Sequence, residues 1–289
     1  MKRVAVVGLG LIGGSLALDI KNVLGYHLVG IDGNQTNAER ALELGLVDEI
    51  ADLSKVADVD IVIVATPVNT IASIASQILD LVGPDTWVFD VGSVKEKICK
   101  ELNDHAKRDQ FLAAHPIAGT EFSGPDAALE KLFNNKTMIL CDVEKTKKTF
   151  FTEACSIFAA LGMELKIMKS KSHDKHIAYV SHLSHVSSFM LGKTVLEIEK
   201  DEQNIFDLAG SGFESTVRLA KSSPNTWTPI FEGNKKYILT SLDEYIKNLI
   251  EFKELLSNDE SDKMHQIMED TNHLKEVLKG INKKQQHLK

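Results

Sequence analysis

The chain has 289 residues, with 33 lysines and arginines against 41 aspartates and glutamates, which gives a formal net charge of −8. This length can bury a sizeable core and favours two domains over one. The acidic balance, without a long basic run before the C-terminal end, argues against nucleic acid as a partner, and no segment is apolar enough to predict a membrane span.

The three cysteines, Cys99, Cys141 and Cys155, form no CxxC pair with metal-ligand spacing. Their odd number in a chain with ordinary core potential favours a reducing cytoplasm and no structural zinc. The apolar start MKRVAVVGLGLI is interrupted by glycines and is followed by no cleavage signature. We therefore predict a folded domain from Met1 rather than a signal peptide.

The first half of the chain alternates short β-branched runs with longer amphipathic stretches, a pattern that predicts an α/β fold with a parallel sheet wound by crossover helices. A helix over 35–44 should end at Gly45, where a left-handed residue is favoured. Another helix is predicted at about 145–161. The predicted strands are 3–8, 28–32, 60–66, 87–92, 111–115, 136–142 and 163–168.

After Met168 the pattern changes to long helical periods without a convincing strand. The predicted helices cover about 171–200, 202–222, 225–257 and 259–284, before a solvated or frayed tail from Lys279. We predict a dinucleotide-binding domain over 1–169 and an all-helical domain over 170–289. Helices this long usually need a partner to cover their apolar side, so a helical homodimer interface is preferred over a purely intramolecular bundle.

The segment VAVVGLGLIGGSLA sets three glycines in G-x-G-x-x-G spacing between a predicted strand and a predicted helix. In this context Gly8 permits a tight turn, Gly10 lets the backbone approach a pyrophosphate, and Gly13 allows close packing of helix on strand. The helix start at Leu11 and Ile12 offers unpaired amides to the phosphates. This segment predicts a Rossmann-type domain.

Asp32 follows the glycine motif by about 20 residues, where a ribose-binding carboxylate is expected. NAD is favoured over NADP, because a carboxylate accepts a hydrogen bond from the 2′-hydroxyl and repels a 2′-phosphate, and DGNQTN offers no cation. Thr66 and Pro67 end a strand at the edge where ligands bind an open sheet, so they are predicted to line the cofactor site. The alternative is that Pro67 only ends the strand.

The segment AAHPIAGTE places His115 at the end of a predicted strand. Pro116 holds the preceding backbone extended, and imidazole titrates near neutral pH, so His115 is a candidate general base for oxidation of a hydroxyl beside a nicotinamide. Ser93, in DVGSVK, ends the preceding strand and could hydrogen-bond the imidazole or a substrate hydroxyl.

The stretch SHDKHIAYVSHLSHVSSF contains four histidines. At about 100° per residue, His182 and His185 lie about 60° apart on a helix, whereas His173 and His176 point to other sectors. A four-histidine metal site is therefore not expected, and His182 with His185 could share a face that closes on the nicotinamide.

Downstream, GSGFESTVRLAKSSPNTW places Arg218 in a predicted helix and Trp227 nine residues later. An arginine on a helix is usually solvated, but a buried one would clamp a carboxylate.

Several motifs occur in order along nearly the whole chain: GLGLIGGSLA, DVGSVK, HPIAGTE, SHLSH, GFESTVRLA and the Pro-Asn-Thr-Trp that follows. Together they resemble the prephenate and arogenate dehydrogenases of tyrosine biosynthesis. The resemblance implies a helical dimerisation domain and, without a metal, oxidative decarboxylation of a cyclohexadienyl acid by NAD or NADP. Conversion of prephenate to 4-hydroxyphenylpyruvate with NAD is the preferred interpretation.

The resemblance also implies residue roles. His115 holds and deprotonates the ring hydroxyl, Ser93 orients its imidazole, and Arg218 pairs with the ring carboxylate. The other implied substrate-site residues are His182, His185, Thr120, Glu121 and Trp227. The chain departs from the family pattern at Ser184, where relatives often have proline, so helix stiffness is expected to differ there.

Three alternatives remain open. The substrate could be arogenate, alone or beside prephenate. The chain could be another two-domain NAD enzyme, such as a β-hydroxyacid dehydrogenase or an imine reductase, although these usually rely on a lysine in the helical domain and lack HPIAGTE. It could also be a non-catalytic dinucleotide-sensing dimer, in which His115 and Arg218 would be structural.

Overall fold

The computed structural model describes residues 1–202 and 204–277. The chain forms two compact units, one from Met1 to Lys235 and another that begins at Lys236. Within the described ranges, no helix combines the length and the hydropathy of a membrane span.

The first unit contains an eight-stranded sheet in the order β3-β2-β1-β4-β5-β6-β7-β8. Its strands are β1 Arg3–Val7, β2 His27–Ile31, β3 Glu49–Ile50, β4 Ile61–Val64, β5 Trp87–Asp90, β6 Phe111–Pro116, β7 Thr137–Cys141 and β8 Glu164–Met168. The predicted α/β fold is confirmed, and the sequence pattern missed only the two-residue β3.

One strand pair departs from the predicted parallel arrangement. Strands β6 and β7 are antiparallel, whereas the other neighbours are parallel. The chain between them forms one short 3-10 helix, Pro125–Ala127. A parallel return is usually made through an α-helix, and residues 117–136 contain none, so this connection suits an antiparallel pair.

The helices follow the strands in alternation and then run on alone. They are α1 Leu11–Leu24, α2 Gln35–Glu43, α3 Ile71–Leu81, α4 Glu96–Glu101, α5 Lys148–Ala160, α6 Ser170–Ile177, α7 Leu183–Asp201, α8 Ser211–Val217, α9 Pro224–Gly233, α10 Lys235–Ser257 and α11 Ser261–Thr271. Helix α2 is followed by Gly45 at a φ of +69°, as predicted.

The sheet is buried on both faces. Val4 and Val6 of β1 belong to one hydrophobic cluster, whereas Ala5 and Val7 belong to a second. Alternate side chains of a strand point to opposite faces, so each face has its own core. This double burial explains the continuous apolar runs that distinguish these strands.

The helical segment is more broken than its periodicity predicts. The segment 171–200 is helical, but a π-helical turn, Ala178–His182, joins α6 to α7. The single helix predicted over 202–222 is wrong: the 3-10 turns Ile205–Leu208 and Arg218–Lys221 flank the short α8. Asn204 adopts a φ of +80°, a left-handed conformation that does not continue a helix.

The helix predicted over 225–257 is divided at Asn234, between α9 and α10. The Asn234 amide bonds Asp174 O, so this residue serves tertiary packing. The described part of the last predicted helix, 259–284, contains α11, and after a turn at 272–273 residues 274–277 are helical again. The remainder from residue 278 and the predicted tail from Lys279 lie outside the described residues, and the described residues after Met168 contain no strand.

Candidate active site

The glycine-rich loop connects β1 to α1 and is shaped by close backbone contacts. Gly8 has a φ of +98°, and a Cβ added there would lie 2.6 Å from Ala65 O. A Cβ on Gly13 would lie 1.9 Å from Gly8 O, whereas at Gly10 the nearest atom would be 4.0 Å away. Close packing within the protein therefore leaves no room for a side chain at Gly8 and Gly13, whereas Gly10 borders open space.

Leu11 and Ile12 begin α1, whose N-terminus carries no side-chain cap and no acidic residue in its first turn. Such a helix end offers backbone amides to an anion. The Asp32 carboxylate is fixed beside it, because it accepts hydrogen bonds from Leu9 N and Asn34 N, both at 2.8 Å. This loop fits a dinucleotide: it combines an open backbone approach, free amides and a fixed carboxylate.

Thr66 and Pro67 follow β4 at the same edge of the sheet, since Val7 of β1 pairs with Val64 of β4. Thr70 Oγ1 lies 3.0 Å from Thr66 Oγ1 and donates to Pro67 O at 2.7 Å. Both predicted cofactor residues thus sit beside the glycine-rich loop, in a turn that leads into α3.

His115 is the last residue but one of β6 and is only 9% exposed. Its Nδ1 lies 2.8 Å from His173 Nε2, and His173 Nδ1 lies 2.7 Å from Asp174 Oδ1. The Asp174 carboxylate accepts hydrogen bonds from the backbone amides of Lys95 and Glu96, both at 2.8 Å. His115 is therefore connected to the start of α4 through two side chains of α6.

This arrangement differs from the predicted orientation of His115 by Ser93. The ring hydrogen bond of His115 goes to His173, and Ser93 lies half-buried in the β5–α4 connection. Helical geometry predicts that His173 points to another sector of the helix than His182, but it does not reveal which strand lies against each sector. The dipeptide His173-Asp174 in SHDKH is the local signal that could have indicated a carboxylate-bound imidazole.

The backbone before His115 is held by a buried ion pair. Lys95 Nζ pairs with the Asp90 carboxylate, and both side chains are fully buried. Lys95 Nζ also donates to Ala114 O at 2.8 Å, while Asp90 Oδ1 accepts from Ala114 N at 3.3 Å. The DVGSVK motif thus fixes both polar backbone groups of the residue next to His115, a role that sequence reasoning missed.

A second cluster joins the predicted residues His182, His185 and Trp227. His185 stacks on Trp227 with ring centroids 3.3 Å apart and planes at 22°, and its Nδ1 donates to Ser181 O at 3.0 Å. His182 meets the same indole edge-on, with centroids 5.9 Å apart. The indole therefore holds both imidazoles together.

Asn234 links this cluster to α6. Its Nδ2 donates to Asp174 O at 2.8 Å and lies 3.0 Å from His182 Nδ1. A carbonyl oxygen only accepts, so the amide nitrogen faces both partners and the neutral His182 carries its proton on Nε2. That nitrogen is buried without a hydrogen-bond partner among the described residues.

Burial keeps these imidazoles uncharged. It holds the pKa of His115 well below the ordinary 6.5, with further lowering by the nearby His173, Lys95 and His182. Burial also lowers the pKa of His182 to about 4. Both rings are neutral at pH 7, so His115 can accept a proton there.

Lowering the pH from 7 to 5 should reduce the free energy of unfolding. In the unfolded state a histidine takes up a proton near pH 6.5, whereas buried His182 takes one up only near pH 4. Between these values the unfolded state binds more protons than the folded state, so a fall in pH favours unfolding. His182 alone should account for about 2 kcal/mol of this loss. Urea unfolding at both pH values measures it.

The pH-dependent loss should be smaller in a His182→Gln variant and unchanged in the control His176→Gln, since His176 is exposed. An equal loss of the free energy of unfolding in the wild type and in both variants would contradict the lowered pKa of His182.

Arg218 and Glu121, two predicted substrate-site residues, pair with each other at 3.7 Å. The Arg218 side chain is 53% exposed, so it is not the buried clamp considered from the sequence. Burial lowers the pKa of His185, and the positive charge of Arg218 lowers it further. Thr120 is exposed in the loop after β6, where its Oγ1 accepts from Phe122 N at 3.2 Å.

Open parallel sheets bind dinucleotides outside the carboxyl ends of their strands, where the strand order reverses. That point lies between β1 and β4 here, beside the glycine-rich loop, and His115 ends a strand at the same edge. The fold and this edge define the class of dinucleotide-binding oxidoreductases.

Two family models match adjoining parts of the chain. The nucleotide-binding domain of prephenate dehydrogenase matches residues 16–167, and its dimerization domain matches residues 169–270. The chain belongs to the prephenate dehydrogenase family.

Individual relatives agree with this family. A prephenate dehydrogenase of Bacillus subtilis is 32% identical, over 90% of this chain and 72% of that protein. The crystal structure of A. aeolicus prephenate dehydrogenase with hydroxyphenyl propionate and NAD+ superposes with a TM-score of 0.89 at 30% identity, covering 96% and 98% of the two chains. The crystal structure of Synechocystis arogenate dehydrogenase superposes with a TM-score of 0.78 at 30% identity, covering 96% of this chain and 99% of that chain.

Proposed function

We propose that this protein is an NAD-dependent prephenate dehydrogenase, which converts prephenate to 4-hydroxyphenylpyruvate in tyrosine biosynthesis. The observation that carries the proposal is the neutral, buried His115 at the ligand edge of the sheet, with its Nδ1 engaged by His173. The relatives in Bacillus subtilis and A. aeolicus support the reaction and the cofactor.

The residues proposed to hold NAD all lie at the carboxyl edge of β1, β2 and β4. Asp32 would accept hydrogen bonds from a ribose, and the amides after Gly10 would face the pyrophosphate. The chemistry that NAD supplies when bound is acceptance of a hydride from the ring carbon that bears the hydroxyl. The full proposed set is Gly8, Gly10, Leu11, Ile12, Gly13, Asp32, Thr66 and Pro67.

His115 is proposed to take the proton of the ring hydroxyl through Nε2, while the carbon that bears it gives up its hydride. The bond between the ring and its carboxyl carbon then breaks, carbon dioxide leaves, and the electron pair of that bond moves into the ring and completes its aromaticity. The ring carbonyl formed by the oxidation becomes a phenolate oxygen, which takes back the proton from His115 Nε2 and leaves the histidine neutral. Ser93 is proposed to hydrogen-bond the same hydroxyl.

Arg218 is proposed to bind the ring carboxylate. Its ion pair with Glu121 supports this role, because the guanidinium already holds a carboxylate oxygen at 3.7 Å, which a substrate carboxylate would replace. The proposed remainder of the substrate site is His182, His185, Thr120 and Trp227.

We further propose a cytoplasmic homodimer, with the boundary between its domains after residue 169. The dimerization-domain match supports the dimer, and the meeting of the two family matches at residues 167 and 169 supports the boundary. Helix α10 exposes apolar side chains that a second copy would cover, namely Leu239, Ile246, Leu249, Ile250, Phe252 and Leu256. Light scattering after size-exclusion chromatography should give twice the chain mass.

The proposed activity is tested by measuring NADH formation and carbon dioxide release with prephenate and with arogenate, each with NAD and with NADP. Turnover of prephenate with NAD is the expected result. Turnover of arogenate alone would replace the proposed substrate, and turnover of neither would overturn the proposed function.

Two glycine substitutions should separate cofactor binding from folding. Gly10→Ala should leave stability near the wild-type value but weaken NAD binding roughly tenfold or more, because its Cβ enters open space where the pyrophosphate is proposed to lie. Gly13→Ala should lower the free energy of unfolding by about 1 to 3 kcal/mol, the usual cost of overpacking. Urea unfolding and NAD titration measure the two effects.

Gly83→Ala is a matched control for the added methyl group, because a Cβ at Gly83 meets no atom within 4 Å, its backbone is not left-handed, and it lies outside the loop. Unchanged NAD affinity in Gly10→Ala would contradict the proposed position of the pyrophosphate.

A further inference from the structure

His173 and Asp174 form a buried hydrogen-bonded series that ends on His115. His173 and Asp174 are each 1% exposed, so water does not compete for these bonds. The distances along the series are 2.7 Å from Asp174 Oδ1 to His173 Nδ1, and 2.8 Å from His173 Nε2 to His115 Nδ1.

We propose that His173 and Asp174 are positioning residues that fix the tautomer of His115, so that its lone pair lies on Nε2. The inference rests on the proposed function, in which His115 accepts the proton of the substrate hydroxyl.

The direction of each hydrogen bond follows from the carboxylate. An ionised carboxylate only accepts, so His173 Nδ1 must donate to Asp174. A neutral His173 ring then has its lone pair on Nε2, and the close His115 Nδ1 must donate to it. The neutral His115 ring consequently carries its lone pair on Nε2, since the nitrogen that donates fixes the tautomer.

Asp174 is held so that it cannot easily turn away. Its two carboxylate oxygens accept from the amides of Lys95 and Glu96, and its backbone carbonyl accepts from Asn234. The series therefore has a rigid origin at the start of α4, and its far end is set by the position of β6.

The same series also serves the step after proton transfer. When Nε2 of His115 takes up the proton, the ring becomes an imidazolium, and its Nδ1–H remains bonded to His173, with the Asp174 charge behind it. A carboxylate behind an imidazole orients the ring and stabilises its charged form in hydrolytic triads by the same physics.

Two substitutions of His173 distinguish positioning from simple packing. His173→Gln can present its amide oxygen to His115 and its amide NH₂ to Asp174, which preserves both bond directions. His173→Phe fills the space without either bond. We expect kcat with prephenate to fall roughly 10- to 100-fold in His173→Phe, a part of the factor that general base catalysis contributes, with KM within about twofold. His173→Gln should recover most of the loss.

Nitrogen NMR of histidine-labelled protein reads the tautomer directly and needs no turnover. The His115 resonances are assigned by their disappearance in His115→Asn. We expect wild type and His173→Gln to show His115 protonated on Nδ1, and His173→Phe to lose this preference. This measurement stands even if prephenate is not the substrate, so failure of the proposed function and failure of this inference give different results.

A wild-type His115 protonated on Nε2 would overturn the inference, and so would a His173→Phe variant that keeps both the tautomer and kcat. If His173→Phe does not fold, the spectra of the wild type and of His173→Gln still test the inference. A His173→Gln variant whose His115 is not protonated on Nδ1 would also contradict it.

Discussion

Replacing His115 by asparagine should lower kcat for prephenate by roughly 100- to 10,000-fold, the range that general acid–base catalysis contributes. Asparagine can still hydrogen-bond a hydroxyl but cannot take up its proton. KM for prephenate and the affinity for NAD should change little, because the proposed cofactor and carboxylate contacts are elsewhere. Steady-state kinetics at pH 7 and NAD titration measure these quantities.

The matched control is His176→Asn, which alters an exposed histidine on α6 and should behave as wild type. If His115→Asn retained full turnover while folding normally, His115 would have no part in the reaction.

Replacing Arg218 by alanine should chiefly raise KM for prephenate, by roughly 10- to 150-fold, which corresponds to about 1.5 to 3 kcal/mol for a hydrogen bond to a charged group. The contact is made in the ground state and the transition state alike, so kcat should fall much less. Arg218→Lys should give an intermediate KM, because it keeps the charge but loses the planar fork. Steady-state kinetics on both variants measure these changes.

Lys221→Ala is the control, since Lys221 is an exposed cation in the same 3-10 turn. Glu121→Gln should leave KM unchanged or lower it, because it removes the group that competes for Arg218. An unchanged KM in Arg218→Ala would mean that the carboxylate binds elsewhere.

Local features of the molecule were predictable from sequence. The glycine-rich loop depends on contacts within one strand–turn–helix unit, so its spacing and Asp32 predict where it lies at the sheet edge. The position of His115 is also local, since Pro116 and the apolar run before it place the residue at a strand end. The strand pattern predicts the α/β class because double burial leaves continuous apolar runs.

The partners of these residues were not predictable in the same way. His115 and His173 are 58 positions apart in sequence, and their contact depends on how α6 packs near β6. The direction of β7 has no counterpart in its hydrophobic pattern, because parallel and antiparallel strands bury side chains with the same period. Helical periodicity likewise missed the break at Asn234, whose amide is directed to a carbonyl of α6.

The sequence by itself therefore determined the class of fold, the dinucleotide loop and the residues able to carry the chemistry, because each depends on neighbours along the chain. Only the tertiary structure decided which nitrogen of His115 faces His173, and that Arg218 pairs with Glu121 while its side chain is solvent-exposed. Hydrogen-bond direction and burial are properties of groups brought together by packing, and these set the protonation state on which the proposed reaction depends.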